Sequence, residues 1–229
     1  MDSLVLLIFL VLLMLAVWQL RRLAKAARRA NRVDWGHGWM NLLDGINRLF
    51  CYRYHRLNVT RLRLPRTGPC VVAANHVSGL DPMLLLASAR RPLRFLIARE
   101  EYQRFGMTWL FDAMGCIPVD RERNPEQALR AALRALKEGE AVALFPHGKI
   151  HLDSDPPRKI KKGAVRLACL TGAPIIPLRI TGIRGAGGVV SGVLLRGRAQ
   201  IEIFPSLSPD TLSEQVLSEQ LQQILDGKG

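Results

Sequence analysis

Hydrophobic and polar positions follow three rhythms along this chain. From Leu4 to Leu20 every position is apolar except Gln19. About 17 residues at a rise of ~1.5 Å make a helix of roughly 26 Å, at the short end for a hydrocarbon layer of ~30 Å. The run is apolar all round, which favours insertion over lying in the interface. From Trp35 to Phe50 the rhythm becomes helical. Trp35, Trp39, Leu42, Leu43, Ile46, Leu49 and Phe50 recur at three- and four-residue spacing, with Asn41, Asp44, Asn47 and Arg48 opposite. Two Trp at one end suit a membrane interface, packing on a folded domain is the equal alternative, and one helix can do both.

After Leu57 short apolar runs alternate with amphipathic stretches. Strands are predicted over Leu57–Leu64, Pro69–Ala74, Leu93–Ala98, Ile117–Val119, Ala141–Phe145, Ile175–Ile180 and Arg198–Phe204. Helices are predicted over Met83–Ala89, Glu100–Met114, Asn124–Lys137, Gly163–Leu170 and Thr211–Leu225. Asp81 reads as the N-cap of the first, with Pro82 at its first helical position. Gly185–Gly188 reads as a flexible turn. Pro174 and Pro177 within a strand pattern imply an edge or a bulge. The class is α/β: a mixed, largely parallel central sheet flanked by helices, with an N-terminal transmembrane or membrane-inserted helix. Residues 1–20 form the anchor and 21–54 a basic, amphipathic segment. Residues 55–207 form the main domain, and 208–229 a C-terminal amphipathic helix.

Charge narrows the partners. The net charge is +14, from 33 Lys+Arg against 19 Asp+Glu, so the partner surface is anionic. Arg21, Arg22, Lys25, Arg28, Arg29 and Arg32 follow the apolar run with no acid before Asp34. The positive-inside rule puts this flank, and the domain behind it, on the cytoplasmic side of the inner or plasma membrane. A cleaved signal peptide is disfavoured, because the basic charges follow the apolar run instead of preceding it. Arg48, Arg53, Arg56, Arg61, Arg63 and Arg66 continue the pattern. With an anchor next door they read as contacts to anionic headgroups, a solvated basic face being the alternative. No nucleic-acid motif accompanies the charge, so membrane lipid is the expected partner and nucleic acid is not. Cys51, Cys70, Cys116 and Cys169 form no CxxC and no metal-ligand spacing, which implies a reducing compartment and no metal; no cofactor is expected.

The chemistry centres on Asn75-His76-Val77-Ser78-Gly79-Leu80-Asp81, between a buried strand and a helix start. A carboxylate five residues after a His can fix its tautomer and leave the other ring nitrogen free to take a proton, as general-base activation of a hydroxyl requires. Alternatively, Asp81 only caps its helix and His76 is an ordinary loop histidine. Three further blocks follow: Gly115-Cys116-Ile117-Pro118-Val119-Asp120-Arg121, Phe145-Pro146-His147-Gly148-Lys149 and Ala173-Pro174-Ile175-Ile176-Pro177-Leu178. In this order the four blocks resemble the glycerolipid acyltransferase family, that of the 1-acyl-glycerol-3-phosphate acyltransferases. That family's blocks read N-H-x-x-x-x-D, G-x-x-x-x-D-R, F-P-E-G-T-R-S and a Pro-rich strand. The resemblance covers roughly residues 55–205.

The resemblance implies transfer of a fatty acyl group from acyl-CoA or acyl carrier protein to the hydroxyl of a lysolipid. The acceptor it implies is 1-acyl-sn-glycerol-3-phosphate, with His76 and Asp81 catalytic. Ser78 is a rival nucleophile, but lacks a nucleophile-elbow pattern. Substrate contacts are expected from Asn75, Arg99, Gly115, Arg121, Phe145, Pro146, His147, Gly148 and Lys149, with Arg121 gripping the acceptor's phosphate. The third block departs from the pattern. His147 replaces the Glu, and Lys149-Ile150-His151 replaces Thr-Arg-Ser, which opens the acceptor to another lysophospholipid or a lyso-aminolipid. A non-catalytic anionic-lipid-binding protein is the remaining class. Acyl chain length and oligomeric state leave no mark in the residues.

Overall fold

The computed structural model describes residues 2–104, 106–120 and 125–228. The strands are β1 (Asn58–Arg61), β2 (Cys70–Ala74), β3 (Leu93–Ala98), β4 (Ile117–Val119), β5 (Ala141–Leu144), β6 (Ile175–Thr181) and β7 (Gln200–Ile203). They form one sheet in the order β1-β7-β6-β2-β5-β3-β4. β6, β2, β5, β3 and β4 run parallel, while β7 is antiparallel to β6 and carries β1 parallel to itself. The sheet is thus mixed and largely parallel. β2 and β5 are buried at every position, as their unbroken apolar runs require at the centre of a parallel sheet.

Helices cover both faces. α3 (Asp81–Ser88) connects β2 to β3, and α4 (Arg99–Tyr102) and α5 (Thr108–Ala113) connect β3 to β4. Their apolar residues join one core cluster. α6 (Pro125–Lys137), α7 (Gly163–Thr171) and α9 (Glu214–Leu225) fill the other. Connections that move one way along the sheet use one face and returning connections use the other, as a single crossover hand demands.

Several boundaries differ from the sequence reading. The strand expected over Leu57–Leu64 stops at Arg61, whose φ of 64° is left-handed. The helix expected over Glu100–Met114 is two short helices, separated where Gly106 takes φ 77°. A further helix, α8 (Val189–Leu194), follows the glycine turn and was not anticipated. Pro177 lies inside the sheet instead of on an edge. The pairing slips by one residue between Leu178↔Ile203 and Ile175↔Leu207, so the bulge is the alternative realised.

The N-terminal region forms α1 (Asp2–Ala30) and α2 (Gly38–Leu49), followed by a π-helical turn at Phe50–Tyr54. Over Ser3–Ala30, α1 is long and apolar enough to cross a membrane, and its most apolar window is unburied. It meets α2 where Gly45 packs against Ala27, so closely that any Cβ at position 45 would overlap the Ala27 carbonyl. α2 buries Met40 and Gly45 together with two charged residues. Asp44 and Arg48 are buried, whereas Trp39 and Leu43 are exposed. Arg48 pairs with Asp44 at 2.6 Å and donates to the carbonyls of Leu86, Ala87 and Ala89 at 3.2, 2.7 and 2.7 Å. It therefore satisfies the open carbonyls at the end of α3, and leaves the set of headgroup-facing arginines predicted above.

Candidate active site

The carboxyl ends of four strands bring the first block, the third block, the end of the second block and Arg99 to one edge of the sheet. At their carboxyl ends β2 leads into Asn75 and His76, β5 into Phe145–Lys149, β3 into Arg99 and β4 into Asp120. Parallel α/β sheets place their chemistry at this edge.

The first block is wound around the Asp81 carboxylate, which is fully buried. Oδ2 accepts from His76 Nδ1 at 2.7 Å and from the backbone N–H of Val77 and Ser78 at 2.6 and 2.9 Å. Oδ1 accepts from Ser78 Oγ at 2.9 Å. Asp81 is the first residue of α3, with Leu80 at the N-cap, so it does not cap its own helix. It reaches backwards into the loop, with its negative charge at the favourable end of the helix dipole. Ser78 is buried, and its Oγ also accepts from the Leu80 N–H at 3.1 Å, so this hydroxyl holds the turn.

His76 itself is partly exposed, with 20% of its side chain accessible. Its ring stacks on Phe145 at 4.3 Å between centroids and 19° between planes. Its carbonyl accepts the His151 N–H at 2.7 Å, which ties the first block to the third. Bonded to Asp81 through Nδ1, the imidazole has Nε2 left as its proton-accepting atom.

Asn75 belongs to the frame. Its Nδ2 donates to the Ile180 carbonyl at 2.9 Å and its Oδ1 accepts the Ile180 N–H at 2.6 Å. The side chain thus extends the β2–β6 ladder by one rung and fixes where His76 emerges. Arg99 donates to Asp120 at 2.9 Å across the ends of β3 and β4. Arg121 lies outside the described residues. Gly115 stands at the amino end of β4, the edge opposite His76, where its φ is 63° and its carbonyl accepts from Arg94 at 3.4 Å.

In the third block Gly148 turns the chain with φ 74°, and the Lys161 side chain lies against it. Lys161 also donates its backbone N–H to the Pro146 carbonyl at 2.9 Å. Lys149 is exposed, and His147 and Pro146 are buried. His147 Nε2 faces Asp226 Oδ1 at 3.4 Å, and its ring lies 4.8 Å from that of His151. Neither His147 nitrogen makes a well-formed hydrogen bond. Burial first, and then the neighbouring His151, hold its pKa below the ordinary 6.5, and Asp226 opposes them in part. Lys161 belongs to the basic run Lys159, Lys161 and Lys162 that the sequence sets just beyond the third block, whereas Asp226 carries no motif signal that the sequence could have offered.

Other chemistries find less support among the described residues. Burial pushes the Cys51 thiol up to about 12 and the Cys116 thiol up to about 11, so neither is a thiolate at neutral pH. No group of three or more His, Cys, Asp or Glu side chains is gathered for a metal.

Comparison with known proteins gives this edge a context. The chain is 28% identical over 163 residues to a chloroplastic 1-acyl-sn-glycerol-3-phosphate acyltransferase of Brassica napus, covering 64% of this chain and 47% of the relative. It is 35% identical over 125 residues to a probable 1-acyl-sn-glycerol-3-phosphate acyltransferase of Mycoplasma pneumoniae, covering 50% and 45%. The chain therefore spans about half the length of these curated relatives. The crystal structure of the 1-acyl-sn-glycerophosphate acyltransferase PlsC from Thermotoga maritima shares the fold. It superposes with a TM-score of 0.62 at 19% identity, over 84% of this chain and 82% of that one. The description of the Acyltransferase family matches residues 56–181, which contain all four blocks and the His76–Asp81 pair, and the chain belongs to that family.

Proposed function

We propose that the protein is a membrane-bound O-acyltransferase that transfers a fatty acyl group from a thioester, acyl-CoA or acyl carrier protein, to the free hydroxyl of a lysolipid. The acceptor best supported is 1-acyl-sn-glycerol-3-phosphate, giving phosphatidic acid. The observation that carries this reading is the buried Asp81 carboxylate on Nδ1 of the partly exposed His76, at 2.7 Å. Nε2 takes the proton of the acceptor hydroxyl as its oxygen attacks the thioester carbonyl carbon. The tetrahedral intermediate collapses, the C–S bond breaks, and the imidazolium returns its proton to the departing thiolate. Asp81 orients the ring and stabilises its charged form, and no covalent enzyme intermediate is needed.

Arg99, Lys149 and Lys161 ring this edge with positive charge suited to a phosphate, and Arg121 is assigned the same role by its place in the motif. Phe145 is assigned to hold the His76 ring, and Pro146 and Gly148 to shape the wall beside it. α1 holds this edge at the cytoplasmic membrane surface, where lysolipid and long-chain donor are concentrated.

The test is acyl transfer by the full chain in vesicles against a panel of lysolipids, with His76→Ala alongside. Turnover of lysophosphatidic acid that disappears in His76→Ala supports the reading. Equal turnover in His76→Ala overturns the mechanism. A second acceptor reading, another lysophospholipid or a lyso-aminolipid, is favoured by the burial of His147 against Asp226 where the motif carries Glu. It predicts His76-dependent turnover of that lipid and none of lysophosphatidic acid.

A further inference from the structure

The apolar surface of α8 has no role in the site as described. It presents Val190 and Leu194, 64% and 65% exposed, with Val189 and Leu195 beside them. Such side chains in a row on one short helix are not accounted for by packing within the chain. Two observations tie this helix to the catalytic loop. Gly79 packs so closely beneath α8 that a Cβ there would overlap the Val189 carbonyl, and Gly192 does the same against Ser78. The chain leading into α8 is also bonded to the loop, through Gly187 N–H to the Val77 carbonyl at 2.8 Å.

We propose that α8 is a second membrane contact, separate from α1, that seats the His76 edge on the surface of an anionic bilayer. The helix lies on the α1 side of the sheet. Tyr54, in the π-helical turn that follows α2, donates to the Leu194 carbonyl at 2.7 Å, and His55 Nε2 meets the Val193 carbonyl at 3.1 Å. The surface therefore continues from the N-terminal helices to α8. Its charge fits the same occupant, because Arg184, Arg196 and Arg198 bracket the apolar residues and are exposed. Apolar side chains ringed by arginine match an acyl layer beneath anionic headgroups. The consequence is that Ser78 and Gly79, directly under α8, lie a single helix away from the lipid phase. A lysolipid can then reach His76 without crossing water.

Cys169 supplies the control. It is exposed on α7, which packs on the opposite face of the sheet, while Cys51, Cys70 and Cys116 are buried. The full chain is placed in phosphatidylglycerol-containing vesicles, with a polarity-sensitive fluorophore either on Cys169 or on Val190→Cys in a Cys169→Ser background. The expected result is quenching of the position-190 label by brominated acyl chains and protection from aqueous iodide, with the reverse for Cys169. Equal iodide access at the two positions overturns the proposal. So does a position-190 label already shielded in detergent solution, which would mean that a second copy of the chain covers α8.

A kinetic arm rests on the proposed acyltransfer. In Val190→Asp/Leu194→Asp, turnover of vesicle-borne lysolipid falls about tenfold or more, while turnover of a water-soluble short-chain lysolipid and donor is unchanged. Equal loss on both substrates overturns the membrane role. Because the fluorescence arm needs no turnover, the proposal and the proposed function fail separately.

Discussion

Asp81 Oδ2 accepts His76 Nδ1 at 2.7 Å and, with the same oxygen, the backbone N–H groups of Val77 and Ser78. One carboxylate therefore orients the imidazole and builds the loop that presents it. The two roles predict different mutants. His76→Ala should lose ~10²–10⁴-fold in kcat with a smaller loss of Tm, since Asp81 loses the ring's bond but keeps those from the Val77 and Ser78 N–H groups and from Ser78 Oγ. Asp81→Asn should lose activity and also Tm, because an amide NH₂ cannot accept the hydrogen bonds that converge on this carboxylate. Steady-state kinetics with thermal unfolding of both variants separates the roles.

Ser78→Ala tests the direct-attack mechanism. The hydroxyl donates one bond to Asp81 and accepts one from Leu80, so its loss should cost about tenfold in kcat or less. A loss as large as that of His76→Ala would reinstate Ser78 as a nucleophile.

Arg48→Ala should be severely destabilising. It leaves Asp44 buried without its ion-pair partner and takes a charged donor from three carbonyls at the end of α3, of which those of Leu86 and Ala87 keep a second donor. The expected cost is about 3–5 kcal/mol by denaturant unfolding. Arg48→Met with Asp44→Leu should recover much of it, since no orphaned charge then remains.

Gly45→Leu should separate α1 from α2. The new side chain meets the Ala27 backbone, which cannot move aside within a helix. Overpacking of this kind costs roughly 1–3 kcal/mol. Disulfide trapping between cysteines placed on the two helices should fall, while the fold of residues 56–181 is retained.

Stability should fall on the acid side of neutrality. The His147 pKa is depressed below 6.5, so below that pH the unfolded chain binds a proton that the folded protein resists. This stabilisation is complete above 6.5 and is lost as pH falls towards the folded value. The groups facing His147 are His151, Asp226 and Arg158. His55, buried and likewise depressed, adds to the same slope. Tm measured from pH 8 to 5 should decline less steeply in His147→Leu than in the parent chain.

What was legible in the residues was local. The strands before His76 and after Gly139 are unbroken apolar runs, and the Pro125–Lys137 helix has a clean stripe, so neighbours in sequence state the element. The His76–Asp81 hydrogen bond was legible for the same reason, since its partners are five residues apart.

The tertiary structure decided what depends on faces and distant partners. Sequence periodicity gives α2 a polar and an apolar side but cannot say which one meets protein. Packing on α3 buried Asp44 and Arg48 and turned Trp39 outward. The same limit hid the pairing of His147 with Asp226, 79 residues away, and of Arg99 with Asp120. No local pattern encodes which strand ends become neighbours. The strand order β2-β5-β3-β4 set His76, the Phe145–Lys149 turn, Arg99 and Asp120 along one edge, and only the crossing of the chain over the sheet could do so.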